Sequence, residues 1–429
     1  MTTSTLSSKT KDIIDTKGSI VNSLILNNPG VCSEFKKTII IGSELGSGVQ
    51  GTIHDVDISR NPNLQNNISI PGFNNTDYII KTILKPEVRS RNLSTPKTVE
   101  HAIRDIMKRR PQLVYDVQLA YNGGDPNRIT QTIKIVNEAT DCLLQESYTF
   151  PKNDESGQNM IIEPGNYICN TSSYSEYMIG VLCSTLSEYM NSDSGFGCRN
   201  FVYITDFATC TSSDNFLQYI FMEKIDMDLY TLLNKPYYQD DIDTPSILFQ
   251  CLFAIYTYEF IYQMNHNDLH VKNVFIRELP TTKYLLYEYK HIQYYIPCKY
   301  IVKIGDYGTS CKYSDPMILN ENVLIGEFSA MTPNFYNTTY DIMCLLLTMS
   351  QQSLFIRTIL QDNNVSEDEL NASNLLQIRW LRPKIDKLGT FNHMNAEQLL
   401  SRYYTHSSML TIRPHNIIDD DIIYMGRII

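Results

Sequence analysis

His266-Asn267-Asp268-Leu269-His270-Val271-Lys272-Asn273 follows a long apolar segment and sets an Asp and an Asn five positions apart, with a basic residue two past the Asp. Phosphoryl transfer asks for those groups on one short loop. A carboxylate meets the attacking hydroxyl, a basic side chain reaches the moving phosphoryl group, and an amide oxygen holds Mg²⁺. His266 and His270 also stand four apart, the spacing of a zinc pair on a helix. The zinc motif has Glu after its first His, whereas this chain has Asn267, and the polar run 265–268 reads as the end of a helix.

The apolar segment before the loop, residues 247–264, contains Gln250, Glu259 and Gln263, so a buried helix explains it better than a membrane span. With 429 residues the chain is long enough for two domains, each with its own core. A net charge of −11 opposes direct nucleic-acid binding, which needs a Lys/Arg surplus. The local basic stretch Lys108-Arg109-Arg110 reads as a solvated face. Ten cysteines without a C-x-x-C pair suggest neither a zinc knuckle nor a thioredoxin-like site. Residues 1–33 read as a flexible leader, polar and without an apolar signal core, so reduced thiols and a cytoplasmic location are expected.

A β-branched run at 38–41 leads into Gly46-Ser47-Gly48-Val49-Gln50-Gly51, and Thr52-Ile53 and an alternating stretch follow. The pattern is strand, glycine turn, strand. A Walker A loop is excluded because no Lys stands between Gly51 and Thr52. A dinucleotide-binding turn would open a helix rather than a strand. Tyr78-Ile79-Ile80-Lys81 is a β-branched strand ending on a cation, which needs a carboxylate to hold it. Glu176, opening a helix over 175–190, is the expected partner, with Glu188 on the same helix as its rival. Strands are expected at 201–204 and 217–222, and helices at 247–264, 340–350 and 351–360. Residues 85–165 read as an insertion with a helix near 98–110 and a turn at 122–126. Asp306-Tyr307-Gly308 follows a strand at 300–304, and the Tyr-rich stretch 283–297 suggests an extra β-hairpin. The last fifth of the chain, with Trp380 and Asp419-Asp420-Asp421, reads as further helices. Strands before helices give an α+β fold class with a boundary near residue 224.

Glycine loop, strand Lys, helix Glu, D-x-x-x-x-N loop and D-Y-G, in that order over roughly residues 38–350, resemble a protein kinase. The chain looks most like the divergent serine/threonine kinases encoded by large nucleocytoplasmic DNA viruses, where an N-D-L-H loop and a Tyr-rich hairpin occur. The resemblance implies a two-lobed protein-kinase-like fold, with a strand-rich N-lobe over 34–223 and a larger helical C-lobe over 224–429. It implies ATP-dependent transfer to Ser/Thr hydroxyls of a protein substrate, with Mg²⁺ or Mn²⁺ as cofactor, in the host cytoplasm or the virion.

Position by position, Gly46, Ser47, Gly48, Val49, Gln50 and Gly51 would cover the phosphates. Lys81, fixed by Glu176, would hold the α/β-phosphates. Met222 would stand as gatekeeper, and the backbone of Glu223 and Ile225 would meet the adenine. Asp268 would accept the hydroxyl proton, Asn273 and Asp306 would bind the metal, and Asp341 would brace the loop. Asn267 stands where the family has an Arg that pairs with a phosphorylated activation loop, which implies that activation takes another route. His270 stands in place of a phosphate-contacting Lys and is similar to the loop of choline- and aminoglycoside-type kinases. No A-P-E motif follows, Thr332-Pro333-Asn334 being at most a remnant. A small-molecule phosphotransferase and an inactive kinase-fold scaffold are therefore the alternatives.

Overall fold

The computed structural model describes residues 40–48, 51–57, 78–85, 148–151, 159–162, 171–188, 196–211, 216–312, 337–367, 370, 395–404, 411–414 and 417–428. The leader, Val49, Gln50, the expected helix near 98–110 with its basic stretch, the turn at 122–126, Thr332-Pro333-Asn334 and Trp380 lie outside them. The fold is α+β. Strands β1 (Ile40–Gly48), β2 (Gly51–Asp57) and β3 (Tyr78–Lys85) open the chain, and β4 (Tyr148–Pro151) pairs with β5 (Asn159–Ile162) inside the 85–165 block. Helix α1 (Thr171–Glu188), β6 (Phe196–Cys198), β7 (Ile204–Thr211) and β8 (Phe216–Glu223) follow. The first sheet is antiparallel in the order β1-β2-β3-β8-β7. Its strand β7 begins where the expected strand 201–204 was to end, because Phe201 instead bridges to Ile304 in the second sheet.

After a two-residue strand β9 (Met227–Asp228) and the short helix α2 (Leu229–Leu233), helix α3 (Asp240–Tyr262) runs through the centre of the molecule. It is buried nearly all round, which is why its sequence reads as a continuous apolar run rather than an amphipathic stripe. Asp240, Asp241 and Asp243 in its first turn suit the positive end of the helix dipole. The helix starts seven residues before the expected position. Pro245 masks that start, since proline reads as the first residue of a helix rather than its sixth. At the other end Gln263 adopts φ 51 and closes the helix with its N–H on the Glu259 carbonyl.

The second sheet is larger than the hairpin and strand expected within the helix-rich second half. Beyond β10 (Met264–Asn265), strands β11 (Val274–Tyr289) and β12 (Ile292–Ile304) form a hairpin that absorbs both the expected hairpin at 283–297 and the strand at 300–304. Its tip is Lys290 and His291, both at positive φ, the geometry of a two-residue type I′ turn built without glycine or Asn. A bulge between Glu278 and Lys283 accommodates Pro280, which has no N–H to give the ladder.

Strand β13 (Cys311–Lys312) pairs with β10, and helices α4 (Tyr340–Met349), α5 (Leu354–Asp362) and α6 (Ala396–Tyr403) follow. Strand β14 (Ile422–Ile428) then inserts between β11, to which it is parallel, and β6, to which it is antiparallel. The expectation of helices throughout the last fifth is thus corrected by a strand. Gly426 permits that insertion, since a Cβ there would lie 2.3 Å from Phe253 and 2.8 Å from Tyr287. The outer backbone of β12 is covered by side chains. Asn200 donates to the Val302 carbonyl at 2.8 Å, Gln250 donates to the Tyr300 carbonyl at 2.8 Å, and Gln250 accepts from the Val302 N–H at 2.9 Å.

Among the described residues no helix is long and apolar enough to cross a membrane. Cys183, Cys198, Cys251, Cys298 and Cys344 are buried and carry no disulfide.

Candidate active site

Sheet register sets the first group of residues. Gly46 pairs with Ile53, Ile53 with Lys81, and Lys81 with Ile220. Gly46 therefore lies two strands from Lys81, about 10 Å away at the usual strand spacing. A Cβ at Gly46 would meet no atom within 4 Å, so close packing does not account for the glycine. Lys81 is buried, and its Nζ donates to Glu176 and to Asp306, each at 2.7 Å. Burial opposes the charge on Lys81, but Asp306 first and Glu176 next hold the ammonium protonated, well above the usual lysine range. Burial pushes the Glu176 carboxyl up to about 7, against the pull of Lys81. Burial also works against ionisation of Asp306, yet Lys81 keeps its carboxyl below the usual range.

Helix α1 presents Glu176 because its other end is tied down. A Cβ on Gly180 would sit 2.0 Å from Ile204 Cδ1, so the glycine makes room for the Ile204 side chain between helix and strand. One turn on, Ser184 donates to the Gly180 carbonyl and accepts the Ile204 N–H at 2.8 Å. Tyr262, the last residue of α3, donates to the Leu182 carbonyl at 3.0 Å, and Ser187 donates to the Cys198 carbonyl at 3.2 Å.

The second group is the loop 266–273, held from below by Asp341. That fully buried carboxylate accepts from the N–H groups of His266 at 2.7 Å and Asn267 at 2.9 Å, from Tyr258 at 2.7 Å and from Asn265 at 3.3 Å. Asn273 donates to the Asp268 carbonyl at 2.9 Å, which closes the loop and leaves the Asn273 side-chain oxygen as an acceptor. His270 accepts the Lys272 N–H on Nδ1 and brings Nε2 to 3.7 Å from Asp268 Oδ2. His266 turns the other way, is buried, and meets the Gly305 carbonyl at 2.9 Å, so the two histidines do not converge on one ion.

The two groups join at residue 305. The Gly305 N–H donates to the Asn273 carbonyl at 3.1 Å, and Asp306 follows in the left-handed region at φ 62. Its carboxylate is 40% exposed, and that of Asp268 is 35% exposed, whereas Lys81 and Glu176 are almost wholly covered. Among the described residues no three His, Cys, Asp or Glu side chains form a metal cage. The Asp306 carboxylate and the Asn273 amide oxygen are hard donors, and such a pair suits Mg²⁺ when phosphate oxygens and water complete the shell.

Glu223 and Ile225 lie at and just beyond the end of β8, with Met222 opposite Ile79 on β3. The Glu223 side chain is turned inward, where it accepts from Lys303 at 2.9 Å, Arg277 at 3.1 Å and the Tyr203 N–H at 2.8 Å. Arg277 also takes the Lys224 carbonyl at 3.0 Å. This buried charge cluster was missed in the sequence. A signal for it exists in Ile301-Val302-Lys303-Ile304, where a cation interrupts an apolar strand and must find an anion inside. No family model matches this chain, and no curated protein matches it either.

Proposed function

We propose that this chain is an ATP- and Mg²⁺-dependent phosphotransferase of two-lobed, kinase-like build, acting on Ser/Thr hydroxyls of proteins. The observation that carries the reading is Lys81 Nζ held between Glu176 and Asp306 at 2.7 Å each, with Asp306 joined through Gly305 to the loop bearing Asp268 and Asn273. A buried, permanently charged lysine is suited to polyphosphate. An exposed carboxylate on a rigid loop is suited to receiving a hydroxyl.

In this reading Asp268 orients the acceptor hydroxyl and takes its proton as the oxygen bonds to the γ-phosphorus. The bond to the β–γ bridging oxygen breaks, and ADP leaves with that electron pair. Mg²⁺, when bound through Asn273 and Asp306, supplies charge neutralisation on the phosphates. The backbone beyond Met222, stiffened by the inward Glu223, is where the adenine would lie, under the strands bearing Gly46 and Gly48.

The His270 ring beside Asp268 favours a second reading, transfer to a small hydroxylated acceptor. Purified protein incubated with radiolabelled ATP, Mg²⁺ and casein tests the first reading, and choline and aminoglycosides test the second. Label is expected in casein, and Asp268→Asn is expected to reduce transfer by about 10²–10⁴-fold. Label confined to the small acceptors would replace the first reading with the second. Equal behaviour of Asp268→Asn and wild type would leave an inactive scaffold.

A further inference from the structure

Asn267 is buried in the loop 266–273 and adopts φ 65, a backbone conformation that Asn tolerates better than most L residues. Its N–H is fixed on Asp341, and its side-chain Nδ2 donates to the Thr309 carbonyl at 3.1 Å. Thr309 answers in the other direction, its hydroxyl donating to the His266 carbonyl at 3.1 Å, and Ser310 donates to the same carbonyl at 3.3 Å. Pairing of Asn265 with Cys311 continues the contact into β10 and β13. The 3-10 turn Tyr307–Thr309 that follows Asp306 is thus laced to the loop that carries Asp268.

A cation buried at position 267 would need an anion beside it, whereas a neutral amide is satisfied by a backbone carbonyl. We propose that Asn267 is a positioning residue for phosphoryl transfer, its amide holding the 307–309 turn against the catalytic loop so that Asp268 and Asp306 stand in register. The inference rests on the function proposed above for its consequence, but the tie itself is a matter of local structure.

The test uses the full chain as wild type, as Asn267→Gly and as Asn267→Asp. Glycine keeps the left-handed backbone and loses the amide. Aspartate keeps the shape and replaces the donor with an acceptor. Two readouts are taken: kcat and KM for ATP with casein, and hydrogen–deuterium exchange of peptides covering 304–312.

Both variants are expected to lose about tenfold in kcat, the rate equivalent of one hydrogen bond, with KM for ATP nearly constant and faster exchange over 304–312. Wild-type kcat in both variants, or wild-type exchange over 304–312 in both, would overturn the proposal. If wild type labels no acceptor, the proposed function fails. The exchange measurement then still decides whether Asn267 holds the turn.

Discussion

Glu176 carries the clearest pH signature at the level of single residues. Its folded carboxyl is pushed up to about 7 from an ordinary 4.5. Below about pH 4.5 the folded and unfolded chains both hold this proton, and the group is neutral to stability. Between there and 7 the unfolded chain releases the proton while the folded chain retains it, so this group's contribution to stability falls as pH rises. Replacing Glu176 by Gln should therefore flatten the pH dependence of the urea midpoint between pH 4.5 and 7, relative to wild type. Parallel midpoint curves for the two proteins would show that the carboxyl is not perturbed. That Lys81 pairs with a carboxylate of the helix before residues 201–204 was legible in the sequence, because a cation ending a β-branched strand demands one, but the choice between Glu176 and Glu188 needed the structure. Asn267 was legible only as a departure from a pattern. Its bond to Thr309 depends on a left-handed backbone that no residue-type rule announces.

At the scale of elements, the position of α1 hangs on Gly180. Introducing Ala there puts a Cβ 2.0 Å from Ile204 Cδ1 and 2.9 Å from its Cγ1, so the Ile204 side chain, the helix or the strand must shift. A loss of ~1–3 kcal/mol is expected for such overpacking. A matching loss of ATP affinity should follow as Glu176 draws away from Lys81. The double variant Gly180→Ala with Ile204→Ala should recover part of the ATP affinity, since it returns space at the contact. Isothermal titration with ATP would show this, and no recovery in the double variant would mean that the contact does not govern α1.

The cluster behind β8 is expected to be equally sensitive. Glu223→Ala leaves Lys303 and Arg277 without their shared buried carboxylate, and a cost of ~3–5 kcal/mol in chemical denaturation follows from stranded charge. A change below ~1 kcal/mol, the range of exposed pairs, would refute it. Elements were read well where periodicity was strong, as in α1 and α4. They were misjudged where a local signal pointed elsewhere. Pro245 hid the first turns of α3, whereas the hairpin at 283–297 was expected even though its Lys290-His291 turn lacks glycine.

The whole molecule is closed by β14, whose Met425 and Ile428 are buried and whose flanks are β11 and β6. Deleting residues 422–428 should bare two strand edges and the apolar faces beneath them. The expected result is a lower melting temperature and association on size-exclusion chromatography. A monomeric product with the wild-type melting temperature would show that the sheet does not need the strand. Nothing within 422–428 announces its partners, because pairing with strands so distant in sequence leaves no local trace. The α+β class was legible from the order of strands and helices, while this closure was not.

Strand β14 also sets a clock on biosynthesis. Its partner Cys198 emerges from the ribosome long before Gly426 does, and the chain is made at ~5–20 residues per second. Until then β14 cannot fill its place between β11 and β6. Helix α1 is tied to Cys198 through Ser187, so β14 also buttresses the strand that holds the helix bearing Glu176. For the proposed transferase, activity is expected only after residues 422–428 are free of the exit tunnel.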